Sequence, residues 1–449
     1  MKPLVAIIGK PNVGKSTFFN KVCGSRISIV LNTPGVTRDR IYADAEWLGR
    51  EFTLVDTGGI QLKSTDEMHT HIIRQAELAM EVCDCILFFV DGRQPLTTDD
   101  YDVAQMLRKT NKPVILVVNK IDDFARLDLS EYYALGIGEP CPISAEQKLG
   151  LGELLDLVIS HFPEGQEQEQ DSEEIKVAIV GKPNVGKSSL VNKLLGYERS
   201  IVSNVSGTTR DSIDTSITVG DKHYTLIDTA GIRRKRAIDD DTVEQYSVMR
   251  SLASVRRADV CVVVLDASQE VSEQDVKICA YCHEQGKPSI IALNKWDIIE
   301  KDTNTINKFN NKLSTDLAFM DYFITLSLSA LSGQRVGKIW SLIDMVYNKS
   351  QFRATTGLLN EVIADAVGAV EPPTRNGRRL KIKYATQPTV APPTFVLFVN
   401  DAKLLQNAYK RYLINYLRRA FDLKGTPIHL IIRSSTDKDE SNKDRKQPN

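Results

Sequence analysis

The chain has 449 residues, 42% hydrophobic and 26% charged, with a formal net charge of −1. That length suits two to four domains of ordinary globular composition. No run of 18 apolar residues and no signal-peptide pattern occurs, and seven scattered cysteines do not make a disulfide framework, so a cytoplasmic chain is expected and a membrane-spanning or exported one excluded.

The first apolar run, LVAII, predicts a strand, and Phe18, Phe19 and Val22 predict a helix after it. Between them lies a loop of the form G-x-x-x-x-G-K-[ST]: Gly9, Lys10, Pro11, Asn12, Val13, Gly14, Lys15, Ser16 and Thr17. It returns 172 residues later as Gly181, Lys182, Pro183, Asn184, Val185, Gly186, Lys187, Ser188 and Ser189, again between an apolar run and a helical pattern. Glycines let such a loop curl so that its N–H groups point inward, and the helix N-terminus adds partial positive charge, so phosphate is the expected guest. Lys15 and Lys187 then reach the β- and γ-phosphates, and the hydroxyls of Ser16 and Ser188 hold Mg²⁺. The alternative, a Gly-rich turn without ligand, has to be invoked twice in the same context.

After the first loop comes Thr37, then a strand–turn–strand pattern ending in Asp56, Thr57, Gly58, Gly59 and Ile60. The second copy places Thr209 and then Asp228, Thr229, Ala230, Gly231 and Ile232 at the same offset, so a whole domain is repeated. Thr37 and Thr209 are expected to complete the Mg²⁺ shell when a γ-phosphate is present, and Asp56 and Asp228 to bind the ion through water. Gly59 and Gly231 offer backbone N–H groups to the γ-phosphate. Ile60 and Ile232 stand where a water-orienting glutamine would serve hydrolysis, so slow intrinsic turnover is expected.

Alternating strands and helical segments follow in both copies, which predicts a mainly parallel sheet with helices on both faces. Two buried-type strands end in Asn119, Lys120 and Asp122, and in Asn294, Lys295 and Asp297. A carboxylate there accepts both the N1–H and the N2–H of guanine, whereas adenine would leave it unpaired, so guanine is the expected base. Asn119 and Asn294 tie the base loop to the phosphate loop, Lys120 and Lys295 lay their stems over the ring, and Ser144, Ala145, Ser329 and Ala330 complete the base loop. Every one of these motifs falls where a strand gives way to a loop, the ligand-binding edge of open α/β sheets.

The boundaries expected are a first nucleotide domain over 1–163, an acidic linker over 164–174, a second nucleotide domain over 175–350, a basic α+β domain over 351–435 and a disordered tail over 436–449. Residues 351–435 hold 13 Lys and Arg against 5 Asp and Glu, which makes them the candidate nucleic-acid face. The pattern there predicts a helix over 356–367, strands over 380–384 and 394–399, a helix over 402–421 and a strand over 428–433. The run Arg233 to Asp241 reads as a solvated loop or a nucleotide-gated docking surface. Cys279, Cys282 and His283 spell a haem-attachment or redox spacing, but they lie in a helical pattern with no second Cys pair and read better as core.

With tandem GKPNVGKS loops, DTGGI, DTAGIRRK and PPTFVLFVN, the chain resembles the Der, or EngA, GTPases of bacterial large-subunit ribosome assembly over about residues 2–435. The resemblance implies an α/β fold class of two tandem P-loop GTPase domains followed by a small KH-like domain. It implies GTP and GDP at two sites with Mg²⁺, large-subunit rRNA and ribosomal proteins as partners, no membrane partner and a monomer. It further implies that potassium, held partly by Asn12 and Asn184, stands in for an arginine finger, so these join Lys15, Thr37, Gly59, Lys187, Thr209 and Gly231 as candidate catalytic residues. One departure is that no G-x-x-G loop, the usual KH grip on RNA, occurs in 351–435. The competing reading is a tRNA-modification or signalling GTPase that acts on another protein.

Overall fold

The structure, a computed structural model, describes residues 2–24, 42–56, 82–123, 128–162, 174–196, 200–203, 214–229, 250–300, 304–375 and 377–434, with short pieces of 72–80. Thr37, Thr57, Gly58, Gly59, Ile60, Thr209, Ala230, Gly231, Ile232, the run Arg233–Asp241 and the tail lie outside them, as does most of the linker. The chain forms two compact units, Met1–Gln170 and Asp171–Asn449.

In the first unit the apolar run becomes β1 (Leu4–Gly9), every residue of which is buried. Burial without alternation is what a central parallel strand needs, because both its faces are covered. Val5 and Ile7 join a cluster with Phe18, Phe19 and Val22 of α1 (Lys15–Gly24) and with Leu154, Leu155 and Val158 of α3 (Leu151–Ser160). The alternate residues Leu4, Ala6 and Ile8 are equally inaccessible on the other face. Around β1 stand β2 (Tyr42–Trp47), β3 (Arg50–Asp56), β4 (Cys85–Asp91), β5 (Val114–Asn119) and β6 (Cys141–Pro142), in the order β2-β3-β1-β4-β5-β6. Only β2 runs antiparallel to its neighbour. Helix α2 (Thr98–Leu107) follows β4 and starts with a capping box between Thr97 and Asp100.

The second unit repeats this plan. Its sheet contains β7 (Glu174–Val180), β8 (Ser200–Ser203), β9 (Thr215–Val219), β10 (Lys222–Ile227), β11 (Val260–Asp266), β12 (Ser289–Asn294) and β13 (Ile324–Ser327). Their order is β13-β12-β11-β7-β10-β9-β8. Helices α4 (Lys187–Leu195), α5 (Glu273–Glu284), α6 (Thr305–Asp316) and α7 (Lys338–Ser350) intervene. Cys279 and Cys282 are core residues of α5; burial pushes the Cys279 thiol upward, and the hydrogen bond with Cys261, then burial, does the same for Cys282. The structural reading of that spacing therefore holds, since a thiol kept protonated is a poor nucleophile or metal ligand.

The same unit ends in α8 (Thr356–Ala369), the short strands β14 (Thr374–Arg375) and β15 (Arg378–Arg379), β16 (Ile382–Thr389), β17 (Thr394–Val399), α9 (Asn407–Ala420) and β18 (His429–Ser434). Strand β17 pairs antiparallel with β16 and parallel with β18. Two boundaries differ from those predicted. The strand expected over 380–384 extends to Thr389, because Asn360 of α8 exchanges hydrogen bonds with the backbone of Ala385 at 2.8 and 3.0 Å, and Gln387 bonds the backbone of Phe352 and Ala354. The helix expected over 402–421 is interrupted: Asp401 caps a short 3₁₀ turn over Ala402–Leu404, and Leu405 and Gln406 are extended before α9 begins. This domain is seated on the second nucleotide domain. Gly425 donates to Tyr322 O at 2.7 Å and accepts from Ser289 N at 2.9 Å, while Arg418 pairs with Asp321 at 3.0 Å and lies over the Tyr322 ring.

Candidate nucleotide sites

Both sites stand at the carboxyl ends of their parallel strands, and they are built alike. The first phosphate-type loop joins β1 to α1, the second β7 to α4. The Lys15 ammonium is buried and donates to the carbonyls of Gly9 and Lys10, each at 2.6 Å; Lys187 does the same to Gly181 and Lys182 at 2.5 and 2.6 Å. Burial lowers the Lys15 pKa from 10.5 to about 8, with Asp56 opposing the shift. A buried cation at a helix N-terminus, beside loop amides, makes an anion site.

The base loop is fastened to the phosphate loop by one side chain in each copy. Asn119 donates to Val13 O at 2.7 Å and accepts from Ala145 N at 3.0 Å; Asn294 donates to Val185 O at 2.8 Å and accepts from Ala330 N at 2.9 Å. Gly14 and Gly186 are required by this contact as well as by their positive φ, since a Cβ on either would collide with that asparagine amide.

Ser16 Oγ donates to Asp56 Oδ2 at 2.7 Å, which brings together two oxygens of the hard-ligand type that Mg²⁺ takes. These residues fit the ion. Asp228 follows the equivalent strand, β10, with φ 57°.

The base-reading ends of the two sites differ. Asp122 accepts from Ser144 Oγ at 3.0 Å and is ion-paired with Arg93, and those two contacts, Arg93 first, hold its carboxyl below the usual carboxylate range. Asp297 is exposed and has no hydrogen-bond or ion-pair partner among the described residues. The ammonium groups of Lys120 and Lys295, whose stems are expected to lie over the base, have acidic partners. They pair with Asp91 and Asp266 at 2.7 and 2.6 Å, which fixes their stems along the edge of the site.

Sequence reading missed four acidic partners. Asp91 and Asp266 end β4 and β11, and Asp100 and Asp275 cap the following helices while pairing with the loop lysines Lys10 and Lys182 at 2.5 and 3.1 Å. The signal was present in the repeat, because each pair keeps the offset of Asn119 and Asn294.

A family profile described as 50S ribosome-binding GTPase matches residues 4–120 and again 176–295, and one described as the KH-domain-like C-terminal part of EngA bacterial GTPase enzymes matches 353–433. Two parallel-sheet domains with these loops, and a KH-like domain after them, define a tandem P-loop GTPase. GTPase Der of Lachnospira eligens is 52% identical to this chain over 440 residues, 98% of the chain and 100% of the relative. GTPase Der of Alkaliphilus metalliredigens is 53% identical over 439 residues, with the same coverage, and that of Clostridium tetani 53% over 433 residues, 96% and 99%. The chain belongs to the GTPase Der family and is a GTP-binding enzyme that hydrolyses GTP.

Proposed function

We propose that this GTPase serves assembly or maturation of the large ribosomal subunit in the cytoplasm, and that the nucleotide state of its two sites controls its association with the ribosome. The observation that carries this reading is the joining of two nucleotide sites with the same phosphate-loop and asparagine fastening to a domain of opposite charge character. The C-terminal domain has a net charge of +8 on a chain of −1, and exposed Arg378, Arg379, Lys381 and Lys383 line one of its edges. The matched profile is itself described as ribosome-binding.

In this reading each site takes one guanine nucleotide. Lys15 and Lys187 exchange their carbonyl partners for phosphate oxygens, and Asp122 and Asp297 accept the two guanine N–H groups. Mg²⁺, held by Ser16, Thr37 and Asp56 and by Ser188, Thr209 and Asp228, supplies positive charge at the phosphates when bound. Water adds to the γ-phosphorus as the bond to the bridging oxygen of GDP breaks; Gly59 and Gly231 donate N–H to the phosphoryl oxygens.

Protonation of Lys15 gives a pH signature. Because the free ammonium has a pKa of about 8 and the phosphate-bound one must be charged, GDP affinity at the first site is expected to fall toward tenfold per pH unit above that value. The effect on folding has the opposite sign. The unfolded chain keeps its proton up to about 10.5, so the contribution of Lys15 to stability rises as pH climbs from about 8. A flat affinity in titrations between pH 7 and 9 would place the Lys15 pKa above that window.

The ribosome reading is tested by sedimenting the protein with large subunits in GDP and in a non-hydrolysable GTP analogue. Replacing Arg378, Lys381 and Lys383 by Gln is expected to weaken binding and flatten its salt slope by up to about one unit per lost phosphate contact. Arg379 is already paired with Glu371 at 2.6 Å, so its replacement contributes less. A neutralised protein with unchanged affinity and slope would assign the ribosome contact to another surface.

A further inference from the structure

We infer that Arg93 is an internal stand-in for guanine at the first site, a residue that competes with the incoming base for Asp122 and so makes the two sites of one chain unequal. The inference rests on the reading of Asp122 and Asp297 as base acceptors.

The two copies supply their own control. After β4 the chain turns at Asp91, whose Oδ1 accepts from Arg93 N at 2.9 Å while its Oδ2 holds Lys120. After β11 it turns identically at Asp266, whose Oδ1 accepts from Ser268 N at 2.9 Å while its Oδ2 holds Lys295. The backbone of position 93 is thus placed as that of position 268, and only the side chains differ. Ser268 turns its hydroxyl back onto Asp266 at 2.6 Å, within its own turn. Arg93 instead reaches across to the carboxylate of Asp122.

A guanidinium is a planar array of N–H donors, and guanine presents N1–H and N2–H to the same kind of acceptor. A base that bonds both oxygens competes with Arg93 for Oδ2, because Oδ1 already serves Ser144 and Oδ2 holds Arg93. The base-competent fraction of the first site is the fraction in which Arg93 has left, and apparent affinity is reduced by that fraction. The side chains are 62% and 37% exposed, so the pair is a solvent-screened one and supports a difference of about fivefold at most. Since the pair must open before the base docks, the difference falls on association more than on release.

The test uses the full chain carrying Asp297→Asn, which leaves the first site as its one guanine site, and compares it with the same chain carrying Arg93→Ser. GDP is expected to bind the Arg93→Ser protein up to about fivefold more tightly at 50 mM salt, with most of the gain in the association rate and little left at roughly 0.5 M salt. In a chain carrying Asp122→Asn, where no ion pair can form, Arg93→Ser should leave xanthosine diphosphate binding unchanged. Conversely, Ser268→Arg should weaken GDP binding at the second site of that chain. Unchanged or weaker GDP binding by Arg93→Ser at low salt, with one nucleotide per chain, overturns the role of Arg93 alone. Two guanine nucleotides per chain in the Asp297→Asn background overturn the base reading and this inference with it.

Discussion

Asp122→Asn is expected to convert the first site from a guanine to a xanthine site, and Asp297→Asn the second, each by a factor on the order of 10⁴ in relative affinity. The magnitude follows from what a mismatch leaves behind. With Asp present, guanine offers two donors to an acceptor-only group; with Asn, one of those donors meets the amide N–H₂, and the loss is that of unpaired polar groups in a closed site. Xanthine carries a carbonyl where guanine carries its amino group, so the same amide finds an acceptor. The fold is expected to survive, because the asparagines that fasten the loops together are Asn119 and Asn294, not these carboxylates. Titrations with guanosine and xanthosine triphosphates decide the matter, and a double variant with wild-type GTP affinity would remove both aspartates from base recognition.

Most of this architecture was legible because the chain writes it twice. One copy of the phosphate loop admits a turn without ligand; two copies, each followed in order by the aspartate and asparagine motifs, fix a domain and its sheet edge. Strand β1 was readable from unbroken apolarity and α1 from Phe18, Phe19 and Val22, since burial on two faces and on one face leave different periods. The boundaries missed in the C-terminal domain are those where tertiary partners override local pattern. The strand runs on past its predicted end at Tyr384 because Asn360 of α8 bonds the backbone of Ala385 and the Gln387 side chain anchors the segment to the backbone of Phe352 and Ala354. Lys120 and Lys295 reach acidic partners 29 residues away, and Arg93 likewise reaches Asp122, so their contacts depend on strands meeting in space and no motif announces them.

Hydrolysis is expected to run faster in potassium than in sodium at equal ionic strength, by less than the roughly 10³-fold or more that an arginine finger can supply. The motivation is the residue after each D-x-x-G: Ile60 and Ile232 have no group that can orient water or carry charge. Potassium bound beside the phosphates would supply the missing positive charge. Asn12 and Asn184, at matching places in the two loops, are the side chains we propose to hold it. The structure also offers a plainer reason for asparagine there. Both residues have left-handed backbone, φ 65° and 63°, a conformation asparagine tolerates better than most residues and glycine adopts freely. Asn12→Gly with Asn184→Gly separates the two explanations, because it keeps the backbone and removes only the amide. If the amide holds the ion, this protein should bind GDP nearly as wild type does while hydrolysing GTP at the same rate in both salts. Asn→Ala at both positions should lose nucleotide affinity as well, since alanine resists that φ. A glycine double variant that retained the full potassium response would reduce both asparagines to backbone residues, and equal wild-type rates in the two salts would end the potassium proposal.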